Sequence, residues 1–135
     1  MHLKIYTDGA SSGNPGPAAI GVSIKDENGK KLAHFSRYIG IATNNQAEYR
    51  AVIAALEVAI ILGPAKATLY LDSELVARQL TGVYRIRSPS LKTPALEARK
   101  LMNRLFHLTI VHIDGSENKE AHALAQVTLR RVGRR

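Results

Sequence analysis

Three acidic side chains stand where structural work does not call for them. Asp8 closes the apolar run Leu3-Lys4-Ile5-Tyr6-Thr7, and Asp72 closes Thr68-Leu69-Tyr70-Leu71. Carboxylates at the carboxyl ends of neighbouring parallel strands converge where open α/β sheets put their ligand sites. Each has a plainer reading too: a turn aspartate at Asp8, and at Asp72-Ser73 the cap of a following helix. Glu48 is more informative. At about 100° per residue, Gln46, Arg50 and Glu57 share one side of its helix, and Glu48 falls opposite, on the stripe of Val52, Ala55, Leu56 and Ala59. An ionised carboxylate facing a core is costly unless it is paired or binds a cation. The alternative is a frayed first turn that leaves Glu48 in water. Acids without basic partners nearby in sequence point to a hard divalent cation, Mg²⁺ or Mn²⁺, which prefer oxygen ligands.

The elements that must carry these acids follow from periodicity and turn chemistry. Leu3, Ile5 and Thr7 alternate with Lys4, Tyr6 and Asp8, which predicts a strand ending at Asp8. Residues 9–17 (Gly-Ala-Ser-Ser-Gly-Asn-Pro-Gly-Pro) are a dense turn signal. Ala18 to Lys25 and Lys31 to Ile39 read as two strands joined through Asn28-Gly29, a strong hairpin signal. Thr43 to Leu62 reads as a long helix, opened by Thr43 or Asn44 and stopped by Gly63-Pro64. A fourth strand, Ala67 to Asp72, is followed by a short helix over Ser73 to Thr81. Beyond a basic loop at Gly82 to Ser90 come a helix from Leu91 to Phe106, a strand from Leu108 to Ile113 and a closing helix from Glu117 to Arg131. The order β-β-β-α-β-α-α-β-α implies an α/β fold, a mixed sheet covered by helices. With no repeat or linker, one domain is expected over residues 1–131, with a basic tail at 132–135.

Composition narrows the partners. The 135 residues contain no cysteine, which removes disulfides, thiol nucleophiles and thiolate metal sites. Lys and Arg number 19 against 11 Asp and Glu, a net charge of +8 that favours a polyanion such as nucleic acid. The plainer reading is a solvated basic surface or tail, since Arg130, Arg131, Arg134 and Arg135 crowd the end. No stretch approaches the roughly 18 apolar residues of a membrane span, and the start carries no secretion signal. The expectation is a cytoplasmic monomer with no membrane partner and no small-molecule cofactor.

Four segments then spell a family. Tyr6-Thr7-Asp8-Gly9-Ala10-Ser11-Ser12-Gly13-Asn14-Pro15-Gly16-Pro17 closely resembles the opening motif of type 1 ribonucleases H. Thr43-Asn44-Asn45-Gln46-Ala47-Glu48 resembles the segment carrying that family's catalytic glutamate, and Asp72-Ser73-Glu74-Leu75-Val76 its third motif. Glu117-Asn118-Lys119-Glu120-Ala121-His122-Ala123-Leu124-Ala125 resembles the fourth. The resemblance implies a ribonuclease H-like fold with a five-stranded mixed sheet, and an RNA–DNA hybrid as substrate. It also implies two divalent cations held by Asp8, Glu48 and Asp72 astride the scissile phosphate, with 5′-phosphate and 3′-hydroxyl products.

The chain departs from the family pattern at His122, where a fourth carboxylate is usual. A neutral imidazole can ligate metal or position water, but it removes a negative charge, which should weaken Mg²⁺ binding and favour Mn²⁺. The plainer reading is a half-buried helix histidine without catalytic duty. Gly115-Ser116 replaces the usual Arg-Glu, and Glu74 stands where many relatives carry glutamine. For substrate contact, Gly9, Ala10, Ser11 and Ser12 would let backbone approach the ribose. Asn14, Thr43, Asn44 and Asn45 resemble residues that touch the sugar–phosphate backbones. Tyr84, Arg85 and Arg87 interleave an aromatic with cations in a loop that is either a nucleic-acid contact or ordinary solvated chain. His112, between Val111 and Ile113, reads as structural. Three rivals stay open: a hybrid-binding module that has lost its chemistry, a 3′–5′ exonuclease of related fold, and a retroelement domain. The exonucleases usually carry Asp-x-Glu where this chain has Asp8-Gly9-Ala10.

Overall fold

The computed structural model describes residues 1–133. Strand β1 (His2–Ser11) lies at the centre of a five-stranded sheet ordered β3-β2-β1-β4-β5, with β2 Gly16–Lys25, β3 Lys31–Ala42, β4 Lys66–Leu71 and β5 Leu108–His112. The three hairpin-linked strands are antiparallel, while β1–β4 and β4–β5 are parallel, so the sheet is mixed as expected. The helices are α1 (Asn44–Leu62), α2 (Glu74–Leu80), α3 (Pro89–Met102) and α4 (Lys119–Gly133), with a 3₁₀ turn at Gly115–Glu117. Among the described residues no helix is long and apolar enough to cross a membrane.

Asp8 does not end its strand. Gly9, Ala10 and Ser11 continue the antiparallel ladder opposite Ile20, Ala19 and Ala18. What ends beside Asp8 is the parallel ladder, whose last pair is Thr7 with Leu71. The hairpin partner β2 holds β1 extended after β4 has turned away. Asp8 and Asp72 are therefore the next residues on adjacent parallel strands, the convergence that the sequence pattern required.

Helix α1 covers one face of the sheet. Tyr49, Val52, Ile53, Leu56 and Ala59 pack with Leu3, Ile5, Val22, Ile24, Leu69 and Leu71 in a single buried cluster. Its first turn is firmly closed. Thr43 Oγ1 accepts from the Gln46 backbone N–H at 3.1 Å, and Gln46 Oε1 accepts from the Thr43 N–H at 2.8 Å, a reciprocal capping box. This excludes the frayed turn as an explanation of Glu48. Tyr49 donates to Gln79 Oε1 at 2.7 Å, tying α1 to α2. Burial pushes its phenol up to about 12, which keeps it a donor.

Helix α4 covers the opposite face, burying Ala121, Ala125 and Leu129. It can come this close because β2 offers no side chain at Gly21, the residue paired with Asp8. A Cβ there would lie 2.0 Å from the Ala121 carbonyl oxygen and 2.8 Å from the Ala125 nitrogen. The helix continues through Val132 and Gly133, two residues the sequence reading gave to a tail; Arg134 and Arg135 lie outside the described residues. Helix α3 starts earlier than expected, with proline in its first turn, and stops at Met102, leaving Phe106 87% exposed in the following turn. His112 ends β5 and is exposed.

Gly21→Ala should therefore push α4 away from β2. A loss of about 1–3 kcal/mol, the usual cost of overpacking, is expected in chemical denaturation. Wild-type stability in that variant would mean that the helix does not need this close approach.

Candidate active site

Asp8, Glu48 and Asp72 come together at the carboxyl end of the parallel ladder, each offering an oxygen within 4.8 Å of the others. Asp8 and Glu48 are 5% and 6% exposed, which is unusual for unpaired carboxylates. Glu48 is aimed by the backbone: its Oε1 accepts from the Gly9 N–H at 2.8 Å, while its buried Oε2 has no partner. Strand β1 reaches the helix because residue 9 has no side chain. A Cβ at Gly9 would lie 2.2 Å from the Ala47 carbonyl carbon and 2.5 Å from the Glu48 nitrogen. The smallness assigned to Gly9 for approach to a ribose is thus explained by approach to α1. The residue is buried, and its N–H serves Glu48.

The electrostatics follow from burial. Desolvation raises the Asp8 carboxyl, aided by the negative charge of Asp72 and opposed by hydrogen bonding to Glu48 and His122. Desolvation likewise holds Glu48 well above the usual carboxylate range, reinforced by Asp8. Without a counter-charge both carboxyls therefore hold a proton more tightly than a solvated carboxyl does. A buried acceptor without a donor, beside two more carboxylates, suits an oxygen-seeking divalent cation.

His122 stands apart from this cluster. Its Nδ1 lies 3.0 Å from Asp8 Oδ2, and its side chain is 58% exposed. The structure thus brings three of the four expected ligands together and places the fourth beside Oδ2 of Asp8. Sequence reasoning passed over Asn118, whose side chain is 1% exposed at the head of α4. Its Nδ2 donates to the Thr7 carbonyl at 2.8 Å and to Asp72 Oδ2 at 3.3 Å. Its signals were a place in the fourth motif and an uncharged amide amid the charged run Glu117 to Glu120.

Several expected substrate contacts already have structural partners. Asn44 Oδ1 accepts from the Ser11 N–H at 2.9 Å, and Asn14 Oδ1 accepts from the Asn44 N–H at 3.1 Å, binding the glycine-rich turn to the start of α1. Ser11 Oγ donates to the Ala42 carbonyl at 2.8 Å, and the Ser12 N–H to the Pro17 carbonyl at 2.7 Å. Ala10 is partly exposed on β1. Asn14, Thr43 and Asn45 join Ser88, Ser90 and Leu91 around a cleft of about 200 Å³. Tyr84 is clasped: its hydroxyl donates to Glu74 Oε1 at 3.1 Å, and the Arg78 guanidinium lies 5.6 Å from its ring centre. Arg85 and Arg87 line an open groove of about 930 Å³, facing Lys92 and Arg99 of α3. None of the three acids lines that groove, so the chemistry is located by the carboxylates rather than by cavity size.

The raised carboxyls carry a linkage consequence. A group with a higher pKa folded than unfolded binds protons better in the folded state, so its contribution to stability falls as pH rises. The fall starts in the ordinary carboxylate range, near about pH 4, and continues through the raised folded range of Asp8 and Glu48. In metal-free protein, Glu48→Gln should remove part of this penalty and raise stability at neutral pH by about 1–3 kcal/mol. The gain should vanish towards pH 4, and Mn²⁺ should stabilise wild type more than the variant. Thermal melts across pH test this; a variant less stable than metal-free wild type at neutral pH would contradict it.

Comparison with known proteins agrees with the geometry. Residues 6–128 match a family model described as reverse transcriptase-like. A curated relative from Halobacterium salinarum, named ribonuclease HI, is 44% identical over 127 residues, covering 94% of this chain and 64% of that protein. The chain thus spans less than two thirds of that relative's length. The crystal structure of RNase H1 from the same archaeon has a TM-score of 0.93 at 42% identity, covering 96% of this chain and 98% of that one. LC11-RNase H1, solved in complex with an RNA/DNA hybrid, has a TM-score of 0.87 at 43% identity over 92% of this chain and 94% of its own. With the ribonuclease H-like sheet, the order of the motifs and the likeness to these relatives all agreeing, the chain belongs to the type 1 ribonuclease H family.

Proposed function

We propose that this chain, as a monomer, cuts the RNA strand of RNA–DNA hybrids as an endonuclease dependent on Mg²⁺ or Mn²⁺, leaving 5′-phosphate and 3′-hydroxyl ends. The observation that carries the reading is the buried, partnerless Glu48 Oε2 beside Asp8 and Asp72. A structural relative bound to an RNA/DNA hybrid supports the substrate class. Asp8, Glu48 and Asp72 would hold two cations when substrate is bound. Such a pair supplies an activated water and stabilises charge on the departing 3′ oxygen.

The chain's own groups supply the rest. The Gly9 N–H orients Glu48, and His122 orients Oδ2 of Asp8. A bound cation would favour the ionised forms of Asp8 and Glu48, against the burial that raises both. Thr43 and Asn45, with Asn14, present hydroxyl and amide groups at the nearby cleft, chemistry that positions sugar–phosphate backbone without reading bases. Arg85, Arg87 and Lys92 take part in no ion pair among the described residues and can draw in further phosphates. Discrimination for RNA rests on contact with 2′-hydroxyls.

Labelled hybrid, DNA duplex and single-stranded RNA, incubated with Mg²⁺ or Mn²⁺, form the direct test. Cleavage should be confined to the RNA strand of the hybrid, with internal cuts even when its 3′ end is blocked. Asp8→Asn should abolish turnover while leaving hybrid affinity largely intact. Comparable rates on DNA duplex, or near-normal turnover by Asp8→Asn, would refute the assignment.

The exposed position of His122 sets a second prediction. His122→Asp adds a carboxylate beside Asp8, so it should lower the metal concentration needed and shift preference from Mn²⁺ towards Mg²⁺. His122→Ala should stay folded and need more metal than wild type. Metal titrations of hybrid cleavage decide the matter, and three superimposed curves would make His122 a bystander.

A further inference from the structure

We infer that Asn118 is a positioning residue: it sets the orientation of Asp72 for metal binding, and it docks the helix carrying His122 against the strand carrying Asp8. This rests on the functional reading above. The orientation of its amide is dictated by chemistry. The Thr7 carbonyl and the Asp72 carboxylate are both acceptors, so only the nitrogen can face them, and its two N–H groups match the two acceptors. No other side chain among the described residues hydrogen-bonds Asp72. The neighbouring cap is made by Ser73, whose Oγ accepts from the Val76 N–H at 3.2 Å, so Asp72 is not needed to start α2.

The same residue reaches the opposite side of the site through its backbone. The Asn118 carbonyl accepts from the His122 N–H at 3.1 Å, and the Asn118 N–H donates to the Gly115 carbonyl at 3.1 Å. One residue thus contacts β1 at Thr7, β4 at its closing acid and the first turn of α4. A common pattern results at the three acids. Asp8 meets His122 through Oδ2, Glu48 meets Gly9 through Oε1, and Asp72 meets Asn118 through Oδ2. Each carboxylate has one oxygen held by a group of the chain outside the three acids. Burial makes the tie at Asp72 firm: Asn118 is 1% exposed, and its Oδ1 is a buried acceptor with no partner. A side chain kept only to fill space would not leave a polar atom unsatisfied there.

Outer residues that orient metal ligands typically change affinity by about 10- to 100-fold when removed. Asn118→Ala should raise the Mn²⁺ half-saturation of the metal-free protein by that order in isothermal calorimetry, without any nucleic acid present. In hybrid cleavage, kcat at limiting metal should fall, KM for the hybrid should hold, and excess Mn²⁺ should recover most of the rate. A purely structural role predicts instead a lower melting temperature with an unmoved Mn²⁺ curve. Asn118→Ser, which keeps one donor, serves if the alanine variant fails to fold; with one donor for two acceptors, its metal curve should also shift. A folded variant whose Mn²⁺ curve overlays wild type overturns the inference, while wild-type cleavage in the same experiment leaves the ribonuclease reading intact. Wild-type protein that neither binds Mn²⁺ nor cuts hybrid overturns both.

Discussion

Strand β1 and helix α1 meet backbone to backbone at Gly9, and the active end of the molecule is organised around that contact. The space left by the missing side chain lets the strand's N–H reach the Glu48 carboxylate. Move the helix outward by the thickness of a methyl group, and Glu48 loses both its donor and its burial. The capping box at Thr43 fixes the helix from its other side, so the glutamate sits in a closed first turn rather than a loose one. Gly21 repeats the device on the opposite face, where it admits α4 and so brings His122 to Asp8.

These close approaches concentrate like charge where water is scarce. Folding alone would favour an apolar or paired group at Glu48, because a buried carboxylate is costly unless compensated. The surrounding packing tolerates the cost: Leu3, Ile5, Leu69, Leu71 and Leu56 are fully buried immediately behind the site. Stability from the core and burial of charge at the rim are thus in tension, and a bound cation would relieve it.

Much of this was legible in the sequence, because the relevant signals are local. The helical stripe placed Glu48 inward, and the apolar runs before Asp8 and Asp72 marked both acids as candidates to converge if their strands were neighbours, as they are. The motif order carried the fold. What could not be read depends on approaches between distant segments. Gly9 looked like a flexible turn residue; its partner is 39 positions away. Asn118 read as an early residue of the closing helix; its carbonyl partner at Thr7 lies 111 positions back. Periodicity placed His122 at the edge of a helix stripe, but the extent of its exposure depends on how α4 seats against β2. The continuation of β1 past Asp8 was hidden because Gly9 to Ser11 read as turn, whereas pairing with β2 extends the strand.

The order of these parts along the chain has a temporal meaning. Synthesis proceeds from the N-terminus, so Asp8, Glu48 and Asp72 are made before Asn118 and His122. Asn118 stands one residue ahead of the last described helix, α4, and His122 lies in that helix's first turn. Until these two are in place, Asp72 has no side chain to orient it and Asp8 lacks its imidazole neighbour. The acids therefore gain these contacts only once α4 docks over Gly21.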